Sequence, residues 1–190
     1  LWTQIAQRYA SYPDTVLFEL LNEPFDALTP RLWNTHSADL IALVRQTNPQ
    51  RTLVVGGGWW NSLDGLTQLR LPDDPNLLAT FHYYSPFEFT HQGAEWSPEV
   101  TDLRGITWGS ADEQLELESH LGMAAAWGTH HQRPLLLGEF GAYGRSKTAN
   151  VLFAVEFDRR HKASGVRAAA VHPGGIHTEL GRHMTPEVTQ

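Results

Sequence analysis

Hydrophobic residues recur every three to four positions in three segments of the chain, which is the spacing of a helix that buries one face. The second segment opens on Thr29 and Pro30, a pair typical of the N-cap and first position of a helix. The first is followed by Pro13, a residue common just after a helix end. The predicted helices cover residues 1–12, 29–48 and 111–129.

Short, mostly apolar runs lie between these segments and predict buried strands. Three consecutive glycines at 56–58 follow the second run, and a turn-forming Pro-Asp-Asp-Pro-Asn sequence at 72–76 leads into the third. Strands that alternate with helices favour a parallel sheet with crossover connections, and the periodicity leaves open whether that sheet closes into a barrel. The predicted strands are residues 16–21, 52–55, 77–83 and 135–140.

The composition of the chain is that of one folded domain. Its 190 residues are 41% hydrophobic and 18% charged, which is typical of a globular protein and not of a disordered one. No apolar run approaches the roughly 18 residues of a membrane-spanning helix, and no signal peptide opens the chain. The chain starts at Leu1, inside a predicted helix, so we expect it to be a segment of a longer protein.

Net charge and cysteine content exclude several kinds of site. The formal net charge of −7 disfavours a nucleic-acid partner, which would require a basic face. The chain has no cysteine, and this excludes disulfides, thiolate catalysis and cysteine-ligated zinc. We expect no metal site. His130 and His131 are sequential neighbours, and no carboxylate stands at a recognised zinc spacing from His172, His177 or His183.

Two carboxylates occur where predicted strands end. Glu23 follows the strand at 16–21, and Glu139 lies near the end of the strand at 135–140. The carboxyl ends of parallel strands lie on one face of a sheet, where active sites are built. Two carboxylates there can divide the acid and nucleophile roles of glycoside hydrolysis. Glutamates that cap helices or face solvent are the alternative interpretation.

Polar and aromatic residues accompany these carboxylates. Asn22 precedes Glu23 and can donate to a sugar hydroxyl, while His82 and Tyr84 are two residues apart at the end of a strand. Side chains with that spacing face the same way, and both types can hydrogen-bond a carboxylate. A purely structural role for the His-x-Tyr pair is the alternative.

Three tryptophans lie in loops that follow predicted strands. Trp59 and Trp60 are adjacent after the second strand, and Trp96 follows the third. Flat apolar rings in such loops can stack on the faces of sugars. Ordinary packing in the core is the alternative.

Three motifs together resemble glycoside hydrolase family 5, the cellulase-type clan. Residues 17–24, Leu-Phe-Glu-Leu-Leu-Asn-Glu-Pro, resemble the acid/base strand of that family, and residues 80–93 resemble its His/Tyr strand and the loop after it. Residues 135–141, Leu-Leu-Leu-Gly-Glu-Phe-Gly, resemble its nucleophile strand. The three motifs occur in the order of the family, and the resemblance covers residues 1–142.

The resemblance implies an α/β fold, specifically a partial (β/α)8 TIM-type barrel with strands equivalent to 4–7. It implies that Glu23 is the acid/base, that Glu139 is the nucleophile and that Asn22 binds the sugar 2-hydroxyl. His82 and Tyr84 would orient and tune the nucleophile. The expected function is retaining hydrolysis of a β-1,4-linked polysaccharide such as cellulose, with no cofactor, and with the carboxyl groups about 5–5.5 Å apart.

The last 48 residues differ in character from the rest. Residues 1–142 contain 17 acidic and 7 basic side chains and all seven tryptophans, whereas residues 143–190 contain 4 acidic and 7 basic side chains. The tail resembles a short-chain dehydrogenase fragment, because Tyr143 and Lys147 match its Tyr-x-x-x-Lys motif. We therefore predict two segments, a hydrolase segment at 1–142 and a grafted dehydrogenase-like tail at 143–190.

The Tyr143–Lys147 pair is interpreted as a relic without a cofactor. The glycines at 56–58 lack the third glycine of a dinucleotide-binding turn and are followed by no clear helix. A predicted helix at 146–163 and strand at 166–171 would take the positions of the last helix and strand of the barrel. An incomplete barrel would leave strand edges open, so we expect self-association, low stability and impaired catalysis.

Two other functions remain open from the sequence. One is an NAD(P)-dependent oxidoreductase fragment, and the other is a non-catalytic carbohydrate-binding module that uses the tryptophans. The resemblance implies a secreted or periplasmic location, and the sequence does not distinguish cellulose from mannan or xylan.

Overall fold

The computed structural model describes residues 1–141 together with the backbone of residues 166–167. One sheet of five parallel strands has the order β1-β2-β3-β4-β5, which confirms the predicted parallel arrangement. The strands are β1 (Phe18–Glu19), β2 (Leu53–Gly56), β3 (Leu77–Tyr83), β4 (Leu135–Phe140) and β5 (Val166–Arg167). The helices are α1 (Trp2–Arg8), α2 (Pro30–Arg45), α3 (Gly58–Asn61), α4 (Leu63–Gln68), α5 (Phe87–Thr90) and α6 (Ala111–His131).

The two long helices start at residues whose side chains cap them. The Thr29 hydroxyl accepts a hydrogen bond from the backbone N–H of Leu32 at the start of α2, as its position before Pro30 predicts. Helix α6 begins with a capping box, in which Ser110 and Glu113 satisfy each other's backbone N–H groups. Local sequence therefore specifies where both helices begin.

Alternate residues of the strands face the helices and form the core. On β3, Leu77, Ala79 and Phe81 are almost fully buried in this cluster, while Thr80 and His82 point to the opposite side of the sheet. The other strand residues of the cluster are Phe18, Leu53, Val55, Leu135 and Leu137. The helices contribute Ala6, Trp33, Ile41, Val44, Leu66, Ala124 and Trp127.

The first helix and strand are shorter than predicted. Helix α1 ends at Arg8, and β1 has two residues instead of six. The segment between them is held by Arg51, whose buried guanidinium donates to the backbone carbonyls of Tyr9, Tyr12, Pro13 and Val16. Carbonyls that bond to this side chain are fixed in a turn and do not extend the helix.

Two short elements follow the glycines at 56–58, where no clear helix was predicted. Helix α4 is capped by Ser62, whose hydroxyl accepts from the N–H of Gly65. Element α3 is a single turn in which Trp59, Trp60 and Asn61 have φ angles of 54°, 57° and 54°. The expectation was wrong because α4 has only six residues, too few for a helical period to show.

Strand β5 lies within the predicted tail. Val166 pairs with Leu135 and Arg167 with Leu136, in parallel, so the start of the strand predicted at 166–171 lies beside β4. The helix predicted at 146–163, and Tyr143 and Lys147, lie outside the described residues. Within the described part of the chain, every helix is too short or too polar to span a membrane.

Candidate active site

The carboxyl ends of β1, β3 and β4 bring together four of the side chains singled out in the sequence. Glu23 lies just after β1, His82 lies on β3 with Tyr84 directly after it, and Glu139 lies on β4. In the sheet β3 is adjacent to β4 and is separated from β1 by β2. Glu23 is thereby hydrogen-bonded to His82, 59 residues later, and Tyr84 to Glu139, 55 residues later.

A bulge in β4 directs Glu139 to this side of the sheet. Phe81 pairs with Leu137, but the next residue, His82, pairs with Glu139, so Gly138 is an extra residue. Without the extra residue, the alternation that buries Leu137 would place Glu139 on the helix-facing side. The bulge requires glycine, because a Cβ at position 138 would lie 2.6 Å from the Thr80 hydroxyl and 3.2 Å from the His82 ring.

Each candidate catalytic carboxylate has its own hydrogen-bond partner. The Tyr84 hydroxyl donates to Glu139 Oε2 at 2.8 Å, and His82 Nδ1 lies 2.7 Å from Glu23 Oε1. The distance from the same His82 nitrogen to Glu139 Oε2 is 3.7 Å. Tyr84 thus contacts Glu139, whereas the shorter contact of His82 is with Glu23, and the expectation that both residues orient the nucleophile stays a prediction.

One oxygen of Glu23, one oxygen of Glu139 and a ring nitrogen of His82 all lie within 4.8 Å of one another. Three atoms this close could also contact one metal ion, and this set was not among the sequence-based predictions. The hydrogen bond between His82 and Glu23 already joins two of the three residues. Two carboxylates this close together can both contact the same small group of a substrate.

A third carboxylate, Glu19 on β1, lies near the same residues and was not predicted. Its pKa is raised because the fold partly removes it from water and because Glu139 and Glu23 add negative charge, while His82 opposes the shift. Burial and the hydrogen bond to Glu139 likewise raise the pKa of the Tyr84 hydroxyl. The signal in the sequence was the position of Glu19, opposite in the alternation to the buried Phe18.

Asn61 supports His82 from the other side and was also not predicted. Its side chain is fully buried, and Nδ2 lies 3.5 Å from His82 Nε2. The left-handed backbone of α3 turns this side chain toward β3. Of the common residues other than glycine, asparagine tolerates that conformation best.

Aromatic side chains line a cleft of about 720 Å³ beside the carboxylates. Trp59, Trp60 and Trp96 all line it, and they are 41%, 53% and 60% exposed. The alternative that Trp59 and Trp60 pack in the core is therefore wrong. Phe87 and His91 complete the wall beside Trp96, their rings stacked at 4.1 Å, and burial lowers the pKa of His91.

Asn22 is the one predicted binding residue in the described chain that the structure places apart. Its side chain is exposed, and it is not among the residues that line the cleft. Its predicted contact with a sugar hydroxyl stays a prediction.

Comparison with known proteins places this geometry in context. The sequence model described as Cellulase (glycosyl hydrolase family 5) matches residues 1–168. Endoglucanase H of Acetivibrio thermocellus is 36% identical over 140 residues, which are 74% of this chain and 14% of that protein. Cellodextrinase A of Ruminococcus flavefaciens is 31% identical over 142 residues, which are 74% of this chain and 42% of that protein.

Solved structures of endoglucanases are also similar to this chain. Thermotoga maritima Cel5A in complex with cellobiose has a TM-score of 0.81 at 34% identity, covering 95% of this chain and 60% of that one. The same enzyme with mannotriose has a TM-score of 0.81 at 33% identity, covering 98% and 62%. The chain thus spans less than two thirds of the length of these relatives, and its sheet is part of a (β/α)8 barrel.

The comparisons also bear on the predicted junction near Tyr143. The family match continues past that residue to 168 and includes Lys147. The match thus covers the first half of the predicted tail together with the carboxylates, and a dehydrogenase origin of residues 143–190 stays a prediction.

Proposed function

Because this chain belongs to glycosyl hydrolase family 5, the cellulase family, we propose that it carries the catalytic residues of an enzyme that hydrolyses β-1,4-linked glucan with retention of configuration. The observation that supports this most directly is the close pair formed by Glu23 and Glu139, with oxygens within 4.8 Å. Inverting enzymes need about 6.5–9.5 Å between the carboxyl groups to admit a water molecule. A close pair suits a covalent mechanism.

In the proposed mechanism Glu139 is the nucleophile. Its carboxylate attacks the anomeric carbon, the bond to the leaving sugar breaks, and a covalent glycosyl-enzyme forms. The hydroxyl of Tyr84, which donates to Glu139 Oε2 at 2.8 Å, holds this carboxylate in one orientation. The other oxygen of Glu139 is then available for the attack.

Glu23 is the acid and then the base in the same proposal. It protonates the leaving oxygen in the first step and takes a proton from water in the second. His82, 2.7 Å from Glu23 Oε1, fixes the orientation of this carboxyl group. The site needs no cofactor in this mechanism, because proton transfer and nucleophilic attack are both supplied by carboxyl groups.

We propose that the cleft binds successive sugar units on its exposed rings. Trp59, Trp60 and Trp96 offer flat apolar faces at the edge of the site, and such faces suit the C–H surfaces of a β-linked hexose chain. Two relatives are named for glucan substrates, as endoglucanase and cellodextrinase, so glucan is the proposed substrate. Mannan is the next substrate to test, since the similar Cel5A structure holds mannotriose.

We propose that catalysis by the 190-residue chain is weak and that the chain self-associates. Within the described residues β1 pairs on one edge only, with β2. An open edge of backbone N–H and C=O groups is a template for pairing with another chain. Size-exclusion chromatography with light scattering tests this, and a stable monomer at all concentrations would contradict it.

Two further proposals concern the tail and the location. A dehydrogenase origin for residues 143–190 rests on the motif at Tyr143 and Lys147, and the family match to residue 168 leaves it only the last part of the chain. We also propose action outside the cytoplasm, because a polymeric glucan does not cross a membrane. Neither changes the proposed chemistry.

Azide rescue tests the assignment of the two carboxylates. We expect Glu139→Ala and Glu23→Ala to lose hydrolysis of 2,4-dinitrophenyl β-cellobioside and of soluble β-1,4-glucan, to differing degrees. Azide should restore turnover in both, giving the α-azide with Glu139→Ala and the β-azide with Glu23→Ala. Glu118→Gln, on the exposed face of α6, is the control and should retain activity. The opposite pair of products would overturn the assignment.

A carbohydrate-binding module without catalysis is the second candidate, favoured by the three exposed tryptophans in the cleft. It predicts that the folded chain binds soluble glucan, that Glu139→Gln binds equally well, and that neither protein releases reducing sugar. Affinity electrophoresis in a glucan gel measures this binding. Reducing sugar from the wild-type chain, absent in Glu139→Gln, would exclude this candidate.

A further inference from the structure

We infer that Asn61 is a positioning residue that fixes the tautomer of His82 and thereby decides which oxygen of Glu23 carries the catalytic proton. The inference rests on the proposed function, and it concerns a residue that makes no contact with the reacting carboxylates. The geometry that leads to it is a series of three side chains in contact, Asn61 with His82 and His82 with Glu23.

Two of these three side chains, Asn61 and His82, are buried. Asn61 is 0% exposed and His82 is 5% exposed. Nδ2 of Asn61 lies 3.5 Å from Nε2 of His82, and Nδ1 of His82 lies 2.7 Å from Oε1 of Glu23. The two nitrogens of the ring are therefore each matched to one neighbour, with Asn61 on one side and Glu23 on the other.

The chemistry of these neighbours sets the position of the ring proton. An amide nitrogen can only donate, so His82 Nε2 accepts and the single proton of the neutral ring is on Nδ1. Nδ1 then donates to Glu23 Oε1. The same arrangement is required when Glu23 is ionised, because a carboxylate can only accept.

The consequence for Glu23 is that its two oxygens have different roles. Oε1 accepts from His82 whether the carboxyl group is charged or neutral, so the acidic proton resides on Oε2. Glu23 Oε2 is then the oxygen that protonates the leaving group and later takes a proton from water. A ring with its proton on Nε2 would instead accept from Glu23 and withdraw the acidic proton from the substrate.

Two features of Asn61 are energetically unfavourable. Among the described residues its Oδ1 is buried with no hydrogen-bond partner, which is unfavourable. Its backbone, like that of Trp59 and Trp60, has a positive φ. Strain and an unsatisfied acceptor that persist at one residue beside an active site point to a functional role.

Gly56 provides an independent way to disturb this contact. A Cβ at position 56 would lie 2.1 Å from Oδ1 and 2.7 Å from Nδ2 of Asn61. Gly56→Ala therefore displaces the amide from His82 while Asn61 itself is unchanged. Asn61→Asp is the complementary variant, since it keeps the shape and replaces the donor by an acceptor.

The first readout is the ring nitrogen NMR spectrum of His82 in the full chain, assigned with a His82→Asn variant and recorded at a pH where the wild-type ring is neutral. We expect Nδ1–H in the wild type, Nε2–H or a doubly protonated ring in Asn61→Asp, and a mixture of tautomers in Gly56→Ala. Asn34→Ala is the control, because the Asn34 side chain bonds Gln68 and Arg70 and none of these three residues lines the cleft. It should leave the spectrum unchanged. Nε2–H in the wild type, or no change in both variants, would overturn the inference.

The second readout separates acid catalysis from general damage. Cellotetraose needs a proton on its leaving sugar, whereas 2,4-dinitrophenyl β-cellobioside has a leaving group that needs none. We expect Asn61→Asp and Gly56→Ala to lower kcat/KM for cellotetraose about tenfold or more while changing that for the aryl cellobioside less than about threefold. Equal losses on both substrates would mean that Asn61 acts only structurally. If the chain hydrolyses neither substrate, the proposed function fails, and the NMR spectrum still decides whether Asn61 fixes His82.

Discussion

Replacing Gly138 by alanine should damage the site through one methyl group. The new Cβ would lie 2.6 Å from Thr80 Oγ1 and between 3.2 and 3.3 Å from two atoms of the His82 ring. Ordinary contact begins at 3.4 Å, so the Thr80 hydroxyl must move by about 0.8 Å or the bulge must open. Thr80 is buried and its hydroxyl donates to the Leu136 carbonyl, which leaves it little room to turn.

Two magnitudes follow from this crowding. Overpacking of a buried position costs about 1–3 kcal/mol of unfolding free energy. A displacement of His82 or Glu139 approaching 1 Å should lower kcat/KM about a hundredfold. We therefore expect a moderate loss of stability together with a large loss of activity, because Gly138 is the extra residue that directs Glu139 toward His82.

Urea unfolding and cello-oligosaccharide hydrolysis measure the two effects. Gly122→Ala is a matched control, because Gly122 lies in α6 with nothing within 4 Å of its added Cβ. That control should stabilise the chain by about 0.5–1 kcal/mol without changing activity. Adding Thr80→Ala to Gly138→Ala should recover part of the lost stability, since it removes the closest atom. Full activity in the Gly138→Ala single variant would refute the role given to the bulge.

Three other outcomes follow from contacts of single residues. Arg51→Met should lower the unfolding free energy by at least about 3 kcal/mol in urea titrations, because four carbonyls lose their buried donor. The same substitution at exposed Arg8 is the control, and equally small losses in both variants would contradict this. The pKa of Glu19 is raised in the fold, so its ionised form destabilises the folded state. Glu19→Gln should therefore raise the melting temperature near neutral pH but not below about pH 4. The same increase at both pH values would show that the charge of Glu19 is not its cause. Tyr84→Phe should lower kcat of glucan hydrolysis about tenfold or more with little change in KM, because it removes the donor to Glu139; a change in KM alone would show that Tyr84 only binds substrate.

The sequence was most informative where a single element contains its own signal. Strands β3 and β4 have the predicted bounds, because runs of six or seven largely apolar residues between turns have few alternatives. Helix α2 begins where Thr29 and Pro30 predict. Parallel strands alone predict that Glu23, His82, Tyr84 and Glu139 lie at the same edge of the sheet, since the carboxyl ends of such strands meet on one face.

Other features depend on contacts between distant segments, and no local pattern reports them. Simple alternation from Leu137 would direct Glu139 away from His82, and only the pairing with β3 shows the bulge at Gly138. The partner of His82 on its far side, Asn61, is specified by a left-handed turn that asparagine permits but does not require. Glu19 is an exposed strand residue, and only the positions of His82 on β3 and Glu139 on β4 show that its charge interacts with the site.

The distribution of strain explains why the two ends of the sheet differ. Six residues other than glycine in the described chain have positive φ angles, and five of them lie in the segments that follow β1 and β2 at the carboxyl end: Glu23, Asp26, Trp59, Trp60 and Asn61. At the opposite end, Arg51 and Arg45 satisfy carbonyls of several loops with buried or half-buried guanidinium groups. Strained backbone persists only where its surroundings over-determine it. Hydrogen bonds at the amino ends of the strands thus stabilise a fold that holds an unfavourable backbone geometry around Glu23 and Asn61. Replacing Arg51 should therefore make the active site less rigid, although Arg51 does not contact it.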